Sequence, residues 1–298
     1  MTIRLDDRVA IVTGAGAGLG RSHALALAAR GARIVVNDLS QAMTGEHMSP
    51  SERVVEEIRA AGGVAISDNS SVADAEQARA MVERTVSEFG RVDILVNNAG
   101  IVRDRSFAKM TAGEFDSVVA VHLAGAAYCT MAAWGHMREA NYGRVVLTTS
   151  NSGLYGNFGQ ANYASGKAGL IGLMNTLKLE GGKYNIAVNT LAPMAATPMT
   201  ENVMDEATKA AFDPALVSAA LVYLCSEACP DNGRIISTAG GHVSAVQVMS
   251  SQGVVLGRNA SPETIAQNWG RICDFDGAVP FASAQEEMKH ILSRLSAA

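Results

Sequence analysis

Short, almost wholly apolar segments alternate with longer helical ones along most of this 298-residue chain. That alternation does most to narrow the folds open to it. Residues 8–13, 33–37, 64–67, 92–97, 144–149, 186–191 and 234–238 read as strands. Between them, residues 19–30, 51–61, 72–88, 111–137, 161–183 and 214–226 read as helices. Side chains alternate faces along a strand, so a strand that is apolar at successive positions must be covered on both sides. Repeated strand–helix units do this, and they predict an α/β fold with a doubly wound parallel sheet of about seven strands and helices on both faces. Ser49-Pro50 opens the second helix, with proline in a turn where its missing N–H costs nothing. Thr111-Ala112-Gly113-Glu114 has the pattern of a capping box.

No linker rich in Pro, Gly and Ser divides the chain. Residues 1–241 read as one domain. Residues 242–298 read as an appendage packing on the same domain or on a dimer, with helices at 262–269 and 283–296. The stretch 40–50 is the least ordered-looking. With 48% hydrophobic and 18% charged residues, the chain has material for one large core. A net charge of −5 argues against nucleic acid, which favours a basic face. The N-terminus lacks the charged-then-apolar layout of a signal peptide. No apolar stretch reaches ~18 residues without Gly, Ser or charge, so no membrane span is expected. The last residues, Ser296-Ala297-Ala298, are not a peroxisomal Ser-Lys-Leu address. The expectation is a cytoplasmic protein. Cys225 and Cys229 are helically spaced, but no histidine or second cysteine pair completes a metal set with them or with Cys129 and Cys273. No metal site is expected, and the thiols read as reduced and partly buried.

Two patterns carry chemistry. Thr13-Gly14-Ala15-Gly16-Ala17-Gly18-Leu19-Gly20 follows the first strand and opens the first helix. Glycines there let the backbone approach a pyrophosphate, and the helix N-terminus offers N–H groups and a favourable dipole. Asp38 closes the second strand about 20 residues on, as a Rossmann-type fold that holds a dinucleotide requires. A carboxylate there accepts ribose hydroxyls and repels a 2′-phosphate. Leu39-Ser40-Gln41 brings no cation to neutralise one, so NAD is preferred over NADP. Asn97-Asn98-Ala99-Gly100 ends the fourth strand, where amides are expected both to order the cofactor and to tie neighbouring strands together. The second pattern is Tyr163 and Lys167, four residues apart and so on one helix face. A cation beside a phenol favours the phenolate and lowers its pKa, making a base for an alcohol proton. Ser150 lies upstream in the same run.

The glycine run, Asp38, the Asn-Asn-Ala-Gly segment and the Ser150/Tyr163/Lys167 set together resemble the short-chain dehydrogenase/reductase family. Within it, residues 100–107, 121–123, 155–163 and 261–275 are similar to the (3R)-3-hydroxyacyl-CoA dehydrogenase units of type 2 multifunctional enzymes. The resemblance implies a role for each matching position. Tyr163 would be the acid/base, Lys167 would hold the ribose and depress the tyrosine pKa, and Ser150 would orient the substrate oxygen. Gly14, Gly16, Gly18, Leu19, Gly20, Asp38, Ser70, Asn98, Ala99 and Gly100 would hold NAD along with Tyr163 and Lys167. Pro193 and Thr197 would meet its nicotinamide end. His122 stands where the family usually has a relay Asn. It would serve the relay through its imidazole or its backbone carbonyl, or it is a helix histidine satisfied by neighbours. Ser70 takes the place of the usual adenine-binding Asp, with Asp68 and Asn69 close by. The implied activity is oxidation of a (3R)-3-hydroxyacyl-CoA. A 17β-hydroxysteroid dehydrogenase, a 3-oxoacyl reductase and a silent NAD-binding sensor are the alternatives. The resemblance also implies a homodimer or homotetramer, pairing through helices 111–137 and 161–183.

Overall fold

The computed structural model describes residues 2–40, 42, 47–197 and 205–296. Gln41, part of the stretch 40–50 and the final two alanines lie outside them. The chain divides into two compact units, Met1–Ala245 and Val246–Ala298. In the first, the order is β1 (Val9–Thr13), α1 (Gly18–Ala28), β2 (Arg33–Asn37), α2 (Pro50–Ala60), β3 (Val64–Asp68), α3 (Ala75–Phe89) and β4 (Ile94–Asn97). There follow α4 (Ala112–Val119), α5 (Gly125–Glu139), β5 (Gly143–Thr148), α6 (Asn151–Tyr155), α7 (Ala161–Gly181), β6 (Ile186–Met194), α8 (Glu206–Ala211), α9 (Pro214–Leu224), β7 (Ile235–Ala239) and β8 (His242–Val246).

The sheet order is β3-β2-β1-β4-β5-β6-β7-β8, and β1 to β7 pair in parallel. The order reverses between β1 and β4, and the loops after these strands open at one edge. This is the switch point where open α/β sheets take ligands. The sheet has eight strands where the sequence predicted about seven. Gly240-Gly241, at φ +54° and +82°, makes the two-residue turn that returns the chain beside β7.

β1, Val-Ala-Ile-Val-Thr, is buried at every position. Ala10 and Val12 join Leu27, Ile34, Ile58, Val217 and Leu221 in the core under α1, α2 and α9. By strand alternation Ile11, Leu95 and Leu147 face the other side, where Met81, Met137, Leu170 and Met174 are buried on α3, α5 and α7. Truncating one such side chain to alanine costs about 2–5 kcal/mol. The capping box at α4 forms, with Thr111 Oγ1 accepting from Glu114 N and Glu114 Oε2 accepting from Thr111 N at 2.8 Å. Ser49 and Glu52 do the same at α2.

The single helix predicted over 111–137 is interrupted. Ala120–Ala124 forms a π-turn between α4 and α5 and carries His122. Such turns recur at functional sites because the wider turn re-aims a side chain. The combined helix Ala112–Glu139 and the span Ala207–Leu224 are long and apolar enough to cross a bilayer. Cys129, Ala133 and Met137 on the first and Val217 and Leu221 on the second are buried, so both read as core helices.

The second unit holds α10 (Pro262–Gln267), α11 (Trp269–Ile272) and α12 (Ala284–Ser296). Ser261 and Thr264 form a capping box at α10. Ser250 and Val279 exchange two backbone bonds of 2.9 Å, and Arg294 on α12 donates to the Gln252 backbone carbonyl.

Candidate active site

The glycine loop is packed to its limit. A Cβ on Gly14 would lie 2.7 Å from Ala99 Cα, and one on Gly20 would lie 2.1 Å from Gly14 O. Gly14 and Gly18 stand at φ +62° and +54°, where other residues are strained. Ala17 caps α1 without any side-chain bond. The first amides of the helix therefore stay available to an anion rather than to a serine or aspartate. Asp38 lies across the loop. Its Oδ2 accepts from Gly16 N and its Oδ1 from Ser40 N, each at 2.9 Å. Beyond it is a cleft of about 500 Å³ whose lining includes Ser40, Ser49, Ser67, Asn69, Ser70 and Arg84. Asp68 on its floor is already engaged by Arg84 and by Asn37 Nδ2 at 2.9 Å, while the Ser70 hydroxyl accepts from Arg84 at 2.8 Å.

Asn98 turns inward, away from the open cleft. Its Nδ2 donates to Thr13 O at 3.0 Å and Gly14 O at 3.1 Å. The Thr13 hydroxyl accepts from Asn98 N and Ala99 N at 3.0 and 3.1 Å. The structural part of the role expected for the Asn-Asn segment is seen in both side chains, since Asn97 also donates across to Thr130 Oγ1 at 3.1 Å. Thr13, which the sequence presented only as a strand end, joins the loops after β1 and β4.

The second half of the site hangs from β5 and α7. Ser150 is the N-cap of α6, a short helix the sequence did not announce because Gly153 and Gly156 interrupt its pattern. Gly153 is needed, since a Cβ there would lie 2.7 Å from Lys167 Cβ. The Ser150 hydroxyl accepts from Ser152 N at 3.2 Å and donates to Asn151 Oδ1 at 3.1 Å. Ser152 is tied instead to Gln160 Oε1 at 2.8 Å. Tyr163 is half-buried in the first turn of α7. Lys167 lies one turn on, its Nζ 5.6 Å from the Tyr163 ring centroid and donating to Thr148 O at 2.5 Å. Thr149 Oγ1 donates to the Lys167 carbonyl at 2.7 Å.

Burial works against the expected lowering of the tyrosine pKa by Lys167. It pushes the Tyr163 phenol up, the Ser150 hydroxyl opposes this, and the Asp104 carboxylate adds to the rise. Burial also depresses the Lys167 ammonium to about 7. Spacing on a helix could place the two groups on one face, but it could not reveal that both are desolvated.

His122 faces Tyr163 edge-on, with ring centroids 5.0 Å apart. Burial first, and the Lys167 charge second, hold its pKa to about 3, so the ring is neutral. Its Nε2 lies 2.7 Å from Ile101 O and 3.1 Å from Ile101 N. The shorter contact makes Nε2 the donor to the carbonyl, which leaves Nδ1 an acceptor with no partner among the described residues. Gly100 admits the ring, since a Cβ there would lie 2.3 Å from His122 Cε1. Among the described residues the neighbours of His122 thus satisfy Nε2 and not Nδ1. Pro193 lies at the end of β6, in register with Thr238, and Thr197 follows three residues after that strand. Among the described residues no cluster of His, Cys, Asp and Glu suits a metal. Cys129, Cys225 and Cys229 are buried free thiols and Cys273 is an exposed one.

Residues 8–208 match the family of short chain dehydrogenases. The chain belongs to that family. As such it is an oxidoreductase acting on CH–OH groups, and the glycine loop, Ser150, Tyr163 and Lys167 fall inside the matched span. It is 45% identical to peroxisomal multifunctional enzyme A of Dictyostelium discoideum over 99% of its own length and 67% of that protein's. It is 37% identical to a hydroxyacyl-CoA dehydrogenase, ChsB1, of Mycobacterium tuberculosis over 82% of its length and 81% of that enzyme's. Among solved structures it resembles full-length peroxisomal multifunctional enzyme type 2 from Drosophila melanogaster. There the TM-score is 0.84 and the identity 38%, with 99% of this chain covered and 50% of the other. The chain thus spans half of that multifunctional protein.

Proposed function

We propose that this chain oxidises (3R)-3-hydroxyacyl-CoA esters to 3-oxoacyl-CoA with NAD, in fatty-acid or sterol side-chain β-oxidation. What carries the reading is the meeting of a half-buried Tyr163, with Lys167 and Ser150 beside it, and a cofactor cradle that ends in an acidic rather than a basic group. The hydroxyacyl-CoA dehydrogenase among the relatives supports the substrate class.

The cradle fits a dinucleotide on structural grounds. Glycines let the loop fold this tightly, since a Cβ on Gly14 or Gly20 would strike backbone and one on Gly16 would strike Asp38, and α1 presents an N-terminus without a side-chain cap. Asp38 would accept the ribose hydroxyls, and its two oxygens already take the amides of Gly16 and Ser40. A 2′-phosphate there would meet a carboxylate at close range. Ala99, Gly100, Pro193 and Thr197 would flank the nicotinamide. When bound, NAD supplies the hydride acceptor.

Tyr163 takes the hydroxyl proton of the substrate, and Ser150 donates to the same oxygen as its charge grows. To reach the substrate, the Ser150 O–H leaves the Asn151 carboxamide, a neighbour at 3.1 Å. Lys167 in its cationic form stabilises the phenolate so produced, held in place by the Thr148 carbonyl. His122 keeps the Tyr163 ring edge-on and offers Nδ1 to a proton path behind it.

The homodimer or homotetramer and a cytoplasmic location belong to the same proposal. The assembly draws support from Met131 on α5 and Leu179 on α7, which are exposed apolar side chains on the two helices expected to pair.

The test is an NADH-release assay on (3R)- and (3S)-3-hydroxyacyl-CoA and on a 17β-hydroxysteroid. Turnover of the (3R) ester alone is expected. Turnover of the (3S) ester alone refutes the stereochemistry, and steroid-only turnover replaces the substrate. Cofactor binding without any turnover would leave only a sensor.

A further inference from the structure

We infer that the loop 101–110 is the landing site for the phosphates of coenzyme A, with Arg103 and Lys109 as its anion-binding side chains. The inference rests on the hydroxyacyl-CoA reading above and assigns it residues.

The loop is fixed at the mouth of the site. Ile101 bonds His122, and Asn162, the neighbour of Tyr163, donates from Nδ2 to Arg103 O at 3.0 Å. Arg105 N donates to Gly159 O at 2.8 Å, and Gln160 Nε2 donates to Asp104 Oδ2 at 2.8 Å. Loops 101–110 and 155–160 therefore form one rim beside Tyr163. A cation on this rim stands at the mouth of the site, outside the reacting centre.

The charges on the rim divide into used and unused. Arg105 pairs with Glu114 at 2.8 Å. Asp104 accepts from the neutral Gln160 amide and has no cationic partner among the described residues, so the unpaired rim charges are two cations against one carboxylate. Arg103 and Lys109 are exposed, and no carboxylate among the described residues pairs with either. Arg103 donates only to the neighbouring Val102 carbonyl, at 2.8 Å. A chain of net charge −5 repels a polyanion in general. Two free cations six residues apart on one fixed loop give the phosphates of coenzyme A a local attraction that the whole molecule lacks.

The same rim is apolar between its charges. Phe107 is 76% exposed, Tyr155 74% and Phe158 91%. Three open aromatic rings on two joined loops are a surface that gains by being covered. A CoA thioester carries both parts in the needed order: an anionic nucleotide outermost, then a long pantetheine arm, then the acyl chain. Arg103 and Lys109 would hold the first, and Phe107 and Phe158 the arm, while the 3-hydroxyl reaches Tyr163. A steroid alcohol has no charge for the two cations to meet.

The test compares a 3-hydroxyacyl-CoA with the same acyl group on N-acetylcysteamine, which lacks the nucleotide phosphates. Wild type, Arg103→Glu, Lys109→Glu, the double alanine variant and Arg103→Lys are assayed at low and high salt. Each charge reversal is expected to raise the KM for the CoA ester about tenfold, with kcat and the KM for NAD within about twofold. The wild-type KM for the CoA ester should rise with salt, and that of the double variant should not. Arg103→Lys should recover most of the loss. The small thioester should discriminate wild type from the variants by less than about twofold, because it never reaches the cations. An unmoved CoA-ester KM in the double variant, or equal damage with both thioesters, overturns the inference while the substrate reading survives. Failure of the wild type to turn over either thioester overturns both.

Discussion

Replacing Lys167 with methionine should destroy activity and yet stabilise the protein, by an amount that depends on pH. Lys167 is 3% exposed, and burial lowers its pKa from 10.5 to about 7. The unfolded chain therefore binds one more proton than the folded one between these two values, and stability rises with pH across that window. Below pH 7 the whole cost of burying the cation is present. At about 1.4 kcal/mol per pKa unit, the shift amounts to about 5 kcal/mol. Methionine removes that cost but also the bond to Thr148 O, which is worth about 1.5–3 kcal/mol for a charged donor. A net gain of about 2–3.5 kcal/mol is left at pH 6. As pH climbs through this window towards 10.5, the folded lysine is neutral and stability is progressively regained, so the advantage of methionine should shrink and vanish only above the unfolded pKa. Urea unfolding of the two proteins at pH 6, 8 and 9.5 measures this. The change in the gap with pH is the decisive quantity, because the packing of methionine is the same at each pH. A gap that does not move between pH 6 and 9.5 refutes the claim that Lys167 is desolvated in the folded state.

Three further outcomes follow from the same geometry. Tyr163→Phe should abolish turnover while NADH, titrated by its fluorescence, still binds within about threefold of wild type, since the ring and its contact with His122 remain. Asp38→Ala should lower kcat/KM for NAD by roughly 10- to 100-fold, as expected for a charge-assisted bond, and let NADP compete; an unchanged NAD/NADP ratio would show that Asp38 does not choose the cofactor. His23, fully buried with Nδ1 on Ser218 Oγ at 2.8 Å, has its pKa lowered to about 3 by burial. The protein should therefore lose stability as pH falls from 6.5 towards 3, and His23→Leu should lose less between pH 7 and 4, as read by urea midpoints.

The sequence made the sheet legible wherever local chemistry and burial agree. β2 falls at Arg33–Asn37, where a β-branched run needs cover on both faces. The glycine loop was equally plain, because only glycine survives where Gly14 and Gly20 touch Ala99 and the loop's own carbonyl. What escaped were features decided by contacts from elsewhere in the chain. Nothing local distinguishes Ala120–Ala124 from an ordinary helix; the π-turn goes with His122 reaching Ile101. α6 is too short and glycine-rich to show a period, and it exists as a platform capped by Ser150 against α7. The Gly240-Gly241 hairpin was a readable turn signal, but the exposed and half-exposed residues of β8 lack the apolar run that marked the other strands.

The largest gap between sequence and structure concerns how the two halves of the site are joined. Residues 98–105 form a single connecting segment. Asn98 and Ala99 lock the glycine loop through Thr13, Ile101 holds His122, and Arg103 O anchors Asn162 beside Tyr163. On the 98–105 side every one of these links is a backbone N–H or carbonyl, so residue types alone do not display it. It follows that a substitution such as Asn98→Ala, far from the reacting carbon, disturbs both halves. It frees Thr13 O and Gly14 O from their donor, at about 1–3 kcal/mol. It also slackens the segment that sets Tyr163 against the cofactor cradle. A residue that only held NAD would raise its KM alone. Asn98, acting through the segment, should raise the KM for NAD and lower kcat together, and a KM effect with unchanged kcat would place it in the cradle only.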